Sequence, residues 1–330
     1  MTPLLHPELV NGRFDDPALY ADCMFARWAL LFDLGDLHAL PARKMLRIRD
    51  VFVSHMHMDH FVGFDQLLRV LIGRERRLRL FGPAGSIERV GHKLAGYTWN
   101  LAERYTTDLA FTVTEVLSAT EARAATFRFR NRFRCEEEGA LALVDGLLCD
   151  DDGFRVRAAV LDHRTPCLAF AVEEPRHVNV WKDRLDALGL PTGPWLREAK
   201  QAILADQPDD TLIRTGALSL SLGALKHDVL RVVPGQKIGY VVDVAYTPAN
   251  VRRIAALVAE ADILFIEAVF AAADAARAAD RAHLTTAQAG EIARRARAKR
   301  IAPFHFSPRY AGEADRLLRE VEQAFGGALV

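Results

Sequence analysis

Apolar residues recur along this chain with two periods, and the switches between them predict its elements. Residues 50–53 end in an unbroken Val-Phe-Val run, the pattern of a buried strand, and Phe61, Phe64, Leu67, Leu68 and Leu71 then follow at helical spacing. Residues 28–33 (WALLFD) predict a second buried strand, after which Gly35 is expected to let the backbone turn sharply. Residues 78–81 form another short apolar run. It is followed by Gly82-Pro83-Ala84-Gly85 and a helical stretch to about Gly96, and strand, Gly/Pro turn, helix is the α/β rhythm.

Between 109 and 134 apolar and polar residues alternate, as in Phe111-Thr112-Val113-Thr114 and Phe127-Arg128-Phe129-Arg130, which predicts half-exposed antiparallel strands. Arg128, Arg130, Arg132 and Arg134 then share a face, read as a solvated strand surface in preference to a phosphate-binding stripe. Further strands are predicted at 154–162, 167–172, 237–243, 262–267 and 300–303, with helices at 248–260 and from Thr285 or Thr286. The first 26 residues are turn-rich, with Pro3, Pro7, Asn11-Gly12, Asp15, Asp16 and Pro17. Residues 175–230 show the least regular pattern and read as an inserted arm.

The 43 Lys+Arg balance the 43 Asp+Glu, so a nucleic-acid partner has to be held by a local patch and not by overall charge. Cys23, Cys135, Cys149 and Cys167 form no CxxC pair, which argues against a disulfide framework or a cysteine-rich metal site. With no leader-like apolar segment and no apolar run of about 18 residues, the expected home is the reducing cytoplasm, away from membranes.

Where the strand at 50–53 stops, residues 54–60 read SHMHMDH. In extended backbone His55, His57 and Asp59 would share one face, and the following helix would swing His60 round to join them. Two imidazoles and a carboxylate–imidazole pair suit two divalent ions of the zinc type; the alternative is that Asp59 caps a helix among incidental histidines. Other strands also end in potential ligands: Asp33, His163, Asp243, Glu267 and His305. Side chains at the carboxyl ends of strands can converge in one cleft. Asp33 there either orients a metal-binding histidine or caps local amides.

The HxHxDH run, a lone later histidine, a strand-end aspartate and a last histidine together resemble the metallo-β-lactamase superfamily. Within it, DHRTPCLAFAVEE at 162–174, GLPTGPWLREAK at 189–200, HLTTAQAGEIA at 283–293 and HFSPRY at 305–310 resemble the tRNase Z branch. The resemblance covers roughly residues 28–312. It implies an α/β fold, a four-layer αβ/βα sandwich, as a single domain with the arm inserted within 175–230. It also implies two zinc ions, with manganese or iron as substitutes: His55, His57 and His163 would hold one, Asp59, His60 and His305 the other, and Asp243 would bridge them.

Asp33 matches the family's supporting aspartate, and Glu267 and His283 match its leaving-group pair, although His283 also suits the start of the helix behind it. Asp59 can align the attacking water as well as bind metal. Arg309 is a candidate for substrate phosphate or for a salt bridge. The implied activity is hydrolysis of RNA phosphodiesters, such as 3′-extended tRNA precursors, by a homodimer.

Three features depart from that family, one of them Gly35-Asp36-Leu37, which stands after Phe32-Asp33 in place of the family's usual Gly-Glu/Ala run. The opening LLHPELVNGRFDDPALY lacks the family's glycine-rich turn and tRNA-touching loop, and residues 175–210 carry five Lys+Arg against six Asp+Glu, poor electrostatics for gripping RNA. A small diester such as a cyclic nucleotide is therefore an alternative substrate, and a silent RNA-binding scaffold a third reading.

Overall fold

A computed structural model describes residues 4–24, 26–151, 153–216 and 218–330; Pro3, one of the turn residues noted above, lies outside them. The described chain divides into two compact units, one running up to Glu173 and resuming at Lys237–Val330, the other Glu174–Gln236.

The larger unit holds two sheets. Eight strands, from Leu5–Leu9 to Cys135–Ala142, stand side by side in chain order, and a second sheet of seven runs Ala328–Leu329, Arg300–Phe304, Ile263–Glu267, Lys237–Val241, Pro166–Glu173, Phe154–Asp162, Leu147–Asp151. Strand alternation explains the layers, because each central strand is apolar on both faces. In strand Ala29–Phe32, Leu30 and Phe32 face the opposite sheet while Ala29 and Leu31 face helices. In Ile263–Glu267 the same split sends Ile263 and Phe265 inward and Leu264 and Ile266 outward. Three apolar layers therefore alternate with the sheets, giving the αβ/βα sandwich. Between the sheets, Phe52 stacks on Phe32 and on Phe81, each with centroids 5.0 Å apart, and packs against Phe170 of the second sheet at 5.6 Å.

The helix with apolar residues at Phe64, Leu67, Leu68 and Leu71 forms as Phe64–Leu71 and buries all four. Strands Leu109–Val116 and Glu121–Arg128 pair antiparallel, but they are mostly buried and not half-exposed. The arginine face also breaks: the strand stops at Arg128, a 3₁₀ turn covers Phe129–Asn131, and Arg132 is left-handed (φ 53°). Arg128 and Arg132 pair instead with Asp108 and Glu103.

The 174–236 unit is more regular than its sequence pattern implied. It has two two-stranded sheets and helices Lys182–Ala187, Trp195–Leu204 and Leu222–Asp228, around a core that includes Val178, Leu185, Trp195, Ile203 and Leu225. Among the described residues no helix is long and apolar enough to cross a membrane.

The sharp turn after strand Ala29–Phe32 is made by Asp33 (φ 58°) and not by Gly35, which has no positive φ. Gly35 serves close approach. A Cβ there would lie 2.6 Å from the Pro17 carbonyl oxygen and 2.8 Å from that of Asp59, and one at Gly63 would strike the Gly35 carbonyl. The two glycines let the loop after Asp33 lie against the segment that carries Asp59 and His60. Gly63→Ala should therefore lower stability by about 1–3 kcal/mol in urea unfolding, since the obstruction is backbone that cannot rotate away.

Candidate metal centre

The candidate site residues singled out in the sequence, Arg309 excepted, gather at one edge of the two sheets. Strand Ile48–Phe52 ends before the histidine run, and His57 is the N-cap of a short helix, Met58–Phe61. Asp59 and His60 are thus delivered by a helical turn and not by strand alternation, so the expected shared face of His55, His57 and Asp59 does not form. The run splits instead. Ligand atoms of His55, His57, His163 and Asp243 lie within 4.8 Å of one another, and so do those of Asp59, His60 and His305; a third such group is Asp243, Glu267 and His283. Asp59 caps no helix here, and the helix behind His283 is capped by Thr285 with a reciprocal bond from Gln288.

Asp243 lies at the centre. Its Oδ2 is 3.4 Å from His60 Nε2, 3.5 Å from His55 Nε2 and 3.6 Å from His163 Nε2. Its Oδ1 is 2.8 Å from His305 Nδ1, yet neither atom has hydrogen-bond geometry with any partner, and His55 Nε2 and His60 Nε2 are likewise buried without one. Four buried polar atoms turned on one point without hydrogen bonds cost several kcal/mol unless something else binds them. Neutral imidazole nitrogens and carboxylate oxygens are donors for borderline divalent ions, so the residues fit a metal centre.

The charges agree. Burial and the neighbouring His60 push His55 down to about 2, leaving it neutral. Burial also opposes charge on His305, but Asp243 outweighs it and raises that histidine to about 9. Asp243 is held well below the usual carboxylate range because His305 and His60 overcome its burial. Its negative charge is therefore retained where cations would sit.

Behind the ligands, Asp33 is fully buried and accepts four bonds: from Ser54 N at 2.6 Å, Ser54 Oγ at 2.8 Å, His60 Nδ1 at 2.9 Å and Tyr240 OH at 2.9 Å. Because Nδ1 is engaged, His60 turns Nε2 into the cluster. The Ala282 carbonyl does the same for His163, accepting from its Nδ1 at 2.8 Å. Glu267 accepts from the Val244 amide at 2.8 Å and the Leu284 amide at 3.2 Å, and its carboxylate lies 3.3 Å from His283 Nδ1. Burial disfavours a charge on His283, but Glu267 and then Asp243 raise its pKa overall.

A cleft of about 470 Å³ opens over His57, Asp59, His163, Asp243, His283 and His305, and is also walled by Phe14, Asp15, Asp16 and Arg281. A larger groove of about 780 Å³ beside strand Cys135–Ala142 holds none of the clustered histidines. Arg309 is not among the cleft-lining residues; its guanidinium lies 5.9 Å from the Tyr310 ring. Sequence reasoning missed Tyr240 and the 14–16 wall. A tyrosine in the otherwise aliphatic KIGYVV run was the available signal, because a buried hydroxyl needs a partner; Asp15 and Asp16 looked like ordinary turn residues.

A Beta-lactamase superfamily domain model matches residues 228–306. Ribonuclease Z from Deinococcus radiodurans is 34% identical, over 95% of this chain and 93% of its own length. Among solved structures, human tRNase Z, short form, superposes with a TM-score of 0.55 at 18% identity, covering 92% of this chain and 93% of that one. The metallo-β-lactamase fold protein YhfI from Bacillus subtilis does so with 0.54 at 17%, covering 98% and 95%.

Removing one donor from Asp33 tests the support behind the cluster. Tyr240→Phe should cost about 1–3 kcal/mol in chemical unfolding, the range for a buried hydrogen bond to a charged acceptor.

Proposed function

The chain belongs to the ribonuclease Z family, and from that premise we propose that it is a binuclear zinc phosphodiesterase cutting RNA endonucleolytically, in the class that removes 3′ extensions from tRNA. The observation that carries this reading is the convergence of buried, unpaired histidine and carboxylate atoms on Asp243, beside a separate Glu267–His283 pair.

His55, His57 and His163 would hold one ion, Asp59, His60 and His305 the other, and Asp243 both. Zinc bound there supplies positive charge to a phosphodiester and acidifies water toward neutral pH. Asp59, whose side chain is 43% exposed, can accept a hydrogen bond from the attacking water and align it in line with phosphorus. His283 turns Nδ1 to Glu267, so Nε2 is left to give a proton to the departing 3′-oxygen. Glu267 favours the charged imidazole and orients it, and its own position is fixed by two backbone amides. Asp33 is the positioning residue that presents His60. The Glu174–Gln236 unit is the inserted arm on this reading, the active form is a homodimer, and the protein works in the cytoplasm.

Zinc-loaded protein should release the trailer from a 3′-extended tRNA precursor, with cleavage just after the acceptor stem. Failure to cut, alongside efficient hydrolysis of an aryl phosphodiester, would remove the tRNA part of the reading and favour a small diester. Asp15 and Asp16 in the cleft wall keep that second substrate class in view.

The proton-donor role has its own test. His283→Ala should lower kcat on RNA by about 10²–10⁴-fold. It should cost less than about tenfold on a 4-nitrophenyl diester, whose leaving group departs without a proton. Equal losses on both substrates would move His283 from proton donor to structural support.

A further inference from the structure

His283 does not stand on a helix or a strand. The chain leaves strand Ile263–Glu267, passes a 3₁₀ turn at Ala272–Asp274 and helix Ala275–Arg281, and turns back through Ala282, whose φ is 58°. His283 follows at once, its amide donating to the Ala278 carbonyl at 2.9 Å. Backbone bonds close the base of this excursion: the Phe270 amide donates to the Leu284 carbonyl at 3.2 Å, and the Thr286 amide to the Phe270 carbonyl at 2.8 Å.

A carboxylate outside the cleft ties both limbs of the excursion. Glu320 lies on helix Ala314–Phe325, and its Oε2 accepts from the Ala272 amide at 2.9 Å and from Thr286 Oγ1 at 2.5 Å. Ala272 opens the outgoing limb, and Thr286 begins the helix that follows His283. Both donors need this acceptor. An amide at the start of a helical turn finds no partner within the turn, and Thr286 is fully buried, where an unmade hydrogen bond is costly.

Glu320 is itself held. Arg316 donates to its Oε1 at 2.8 Å, while the same guanidinium lies 5.5 Å from the Tyr310 ring, and the Tyr310 hydroxyl donates to Asp274 in the excursion. Gly290 lets the helix of Thr286 and the helix of Glu320 touch, since a Cβ there would lie 2.7 Å from the Val321 carbonyl oxygen. The carboxylate therefore stands on a rigid support, which a positioning group requires.

We propose that Glu320 is a positioning residue for proton transfer, fixing the limbs that carry His283 so that the imidazole meets the departing oxygen. It rests on the proton-donor reading of His283 and extends it to the carboxyl-terminal helix. The transfer itself is unchanged: an N–H bond of His283 breaks as the leaving oxygen takes the proton. Glu320 sets the donor's place, and a misplacement of about 1 Å costs about 10²-fold in rate.

The test compares full-length zinc-loaded protein and its variants on a 3′-extended tRNA precursor and on the 4-nitrophenyl ester of uridine 5′-phosphate, which needs no proton donor. Glu320→Ala should lower kcat on the RNA by about tenfold or more. Its KM for the RNA and its kcat on the ester should stay within about twofold of the wild type. Thr286→Val deletes one of the two donors in nearly the same shape and should show the same split at smaller size. Glu320→Gln keeps an oxygen for both donors and should cut RNA within about threefold of the wild-type rate. Equal losses on the two substrates, full RNA cleavage by Glu320→Ala, or a glutamine variant as slow as the alanine one would each overturn the proposal, with the proton-donor reading left standing on His283→Ala. Equal losses in His283→Ala would remove both.

Discussion

One buried carboxylate organises this molecule. Asp33 receives four hydrogen bonds within 2.9 Å, and its donors come from three places: the start of the histidine run, the helical turn after it, and a strand of the opposite sheet. A carboxylate without solvent is tolerable only when its lone pairs are so occupied. Removing any one donor therefore touches sheet packing, the direction of the histidine run and the orientation of His60 together. Tyr240 closes the circuit: its ring packs 5.6 Å from Phe32 and 5.6 Å from Phe304 in the inter-sheet layer, while its hydroxyl leaves that layer for Asp33. Burial and the Asp33 charge raise its pKa far above the ordinary phenol range, so it remains a donor.

The same edge concentrates unusual backbone. Asp33, Asp243 and His305 all take left-handed φ, at 58°, 39° and 58°, and each follows a strand that ends at the cluster. A side-chain-bearing residue in that region costs of order 1–3 kcal/mol. Glycine would relieve the strain but supply no ligand, so the chain bears the cost where a functional atom must face back across the strand ends. The surrounding sandwich, with its near-continuous apolar strands, offsets it.

Much of this was legible in the sequence because strand periodicity and strand-end chemistry obey local rules. The buried runs at 28–33, 50–53 and 262–267 became strands, and the residues at or just beyond their ends met in one cluster. Distances along the chain hid the rest. Whether His55, His57 and Asp59 share a face depends on where the helix starts, and a start at Met58 reassigns Asp59 to His60 and His305. The loop that brings Asp15 and Asp16 to the cleft is held by Arg13 donating to the Pro303 carbonyl, a contact 290 residues apart in sequence. The 174–236 unit hid its order for another reason: its elements are short, so no period lasts long enough to be read.

Tyr240 and Asp33 stand 207 residues apart in sequence, yet one hydrogen bond joins them. During synthesis the amino-terminal sheet emerges first, with Asp33, Ser54 and His60 already present, but the fourth bond waits for residue 240, and Asp243 arrives only after it. A nascent or truncated chain ending before that strand would carry the whole histidine run without the residue on which it converges. The cluster is therefore complete only once both sheets exist, because Asp33 follows a strand of one and Asp243 a strand of the other.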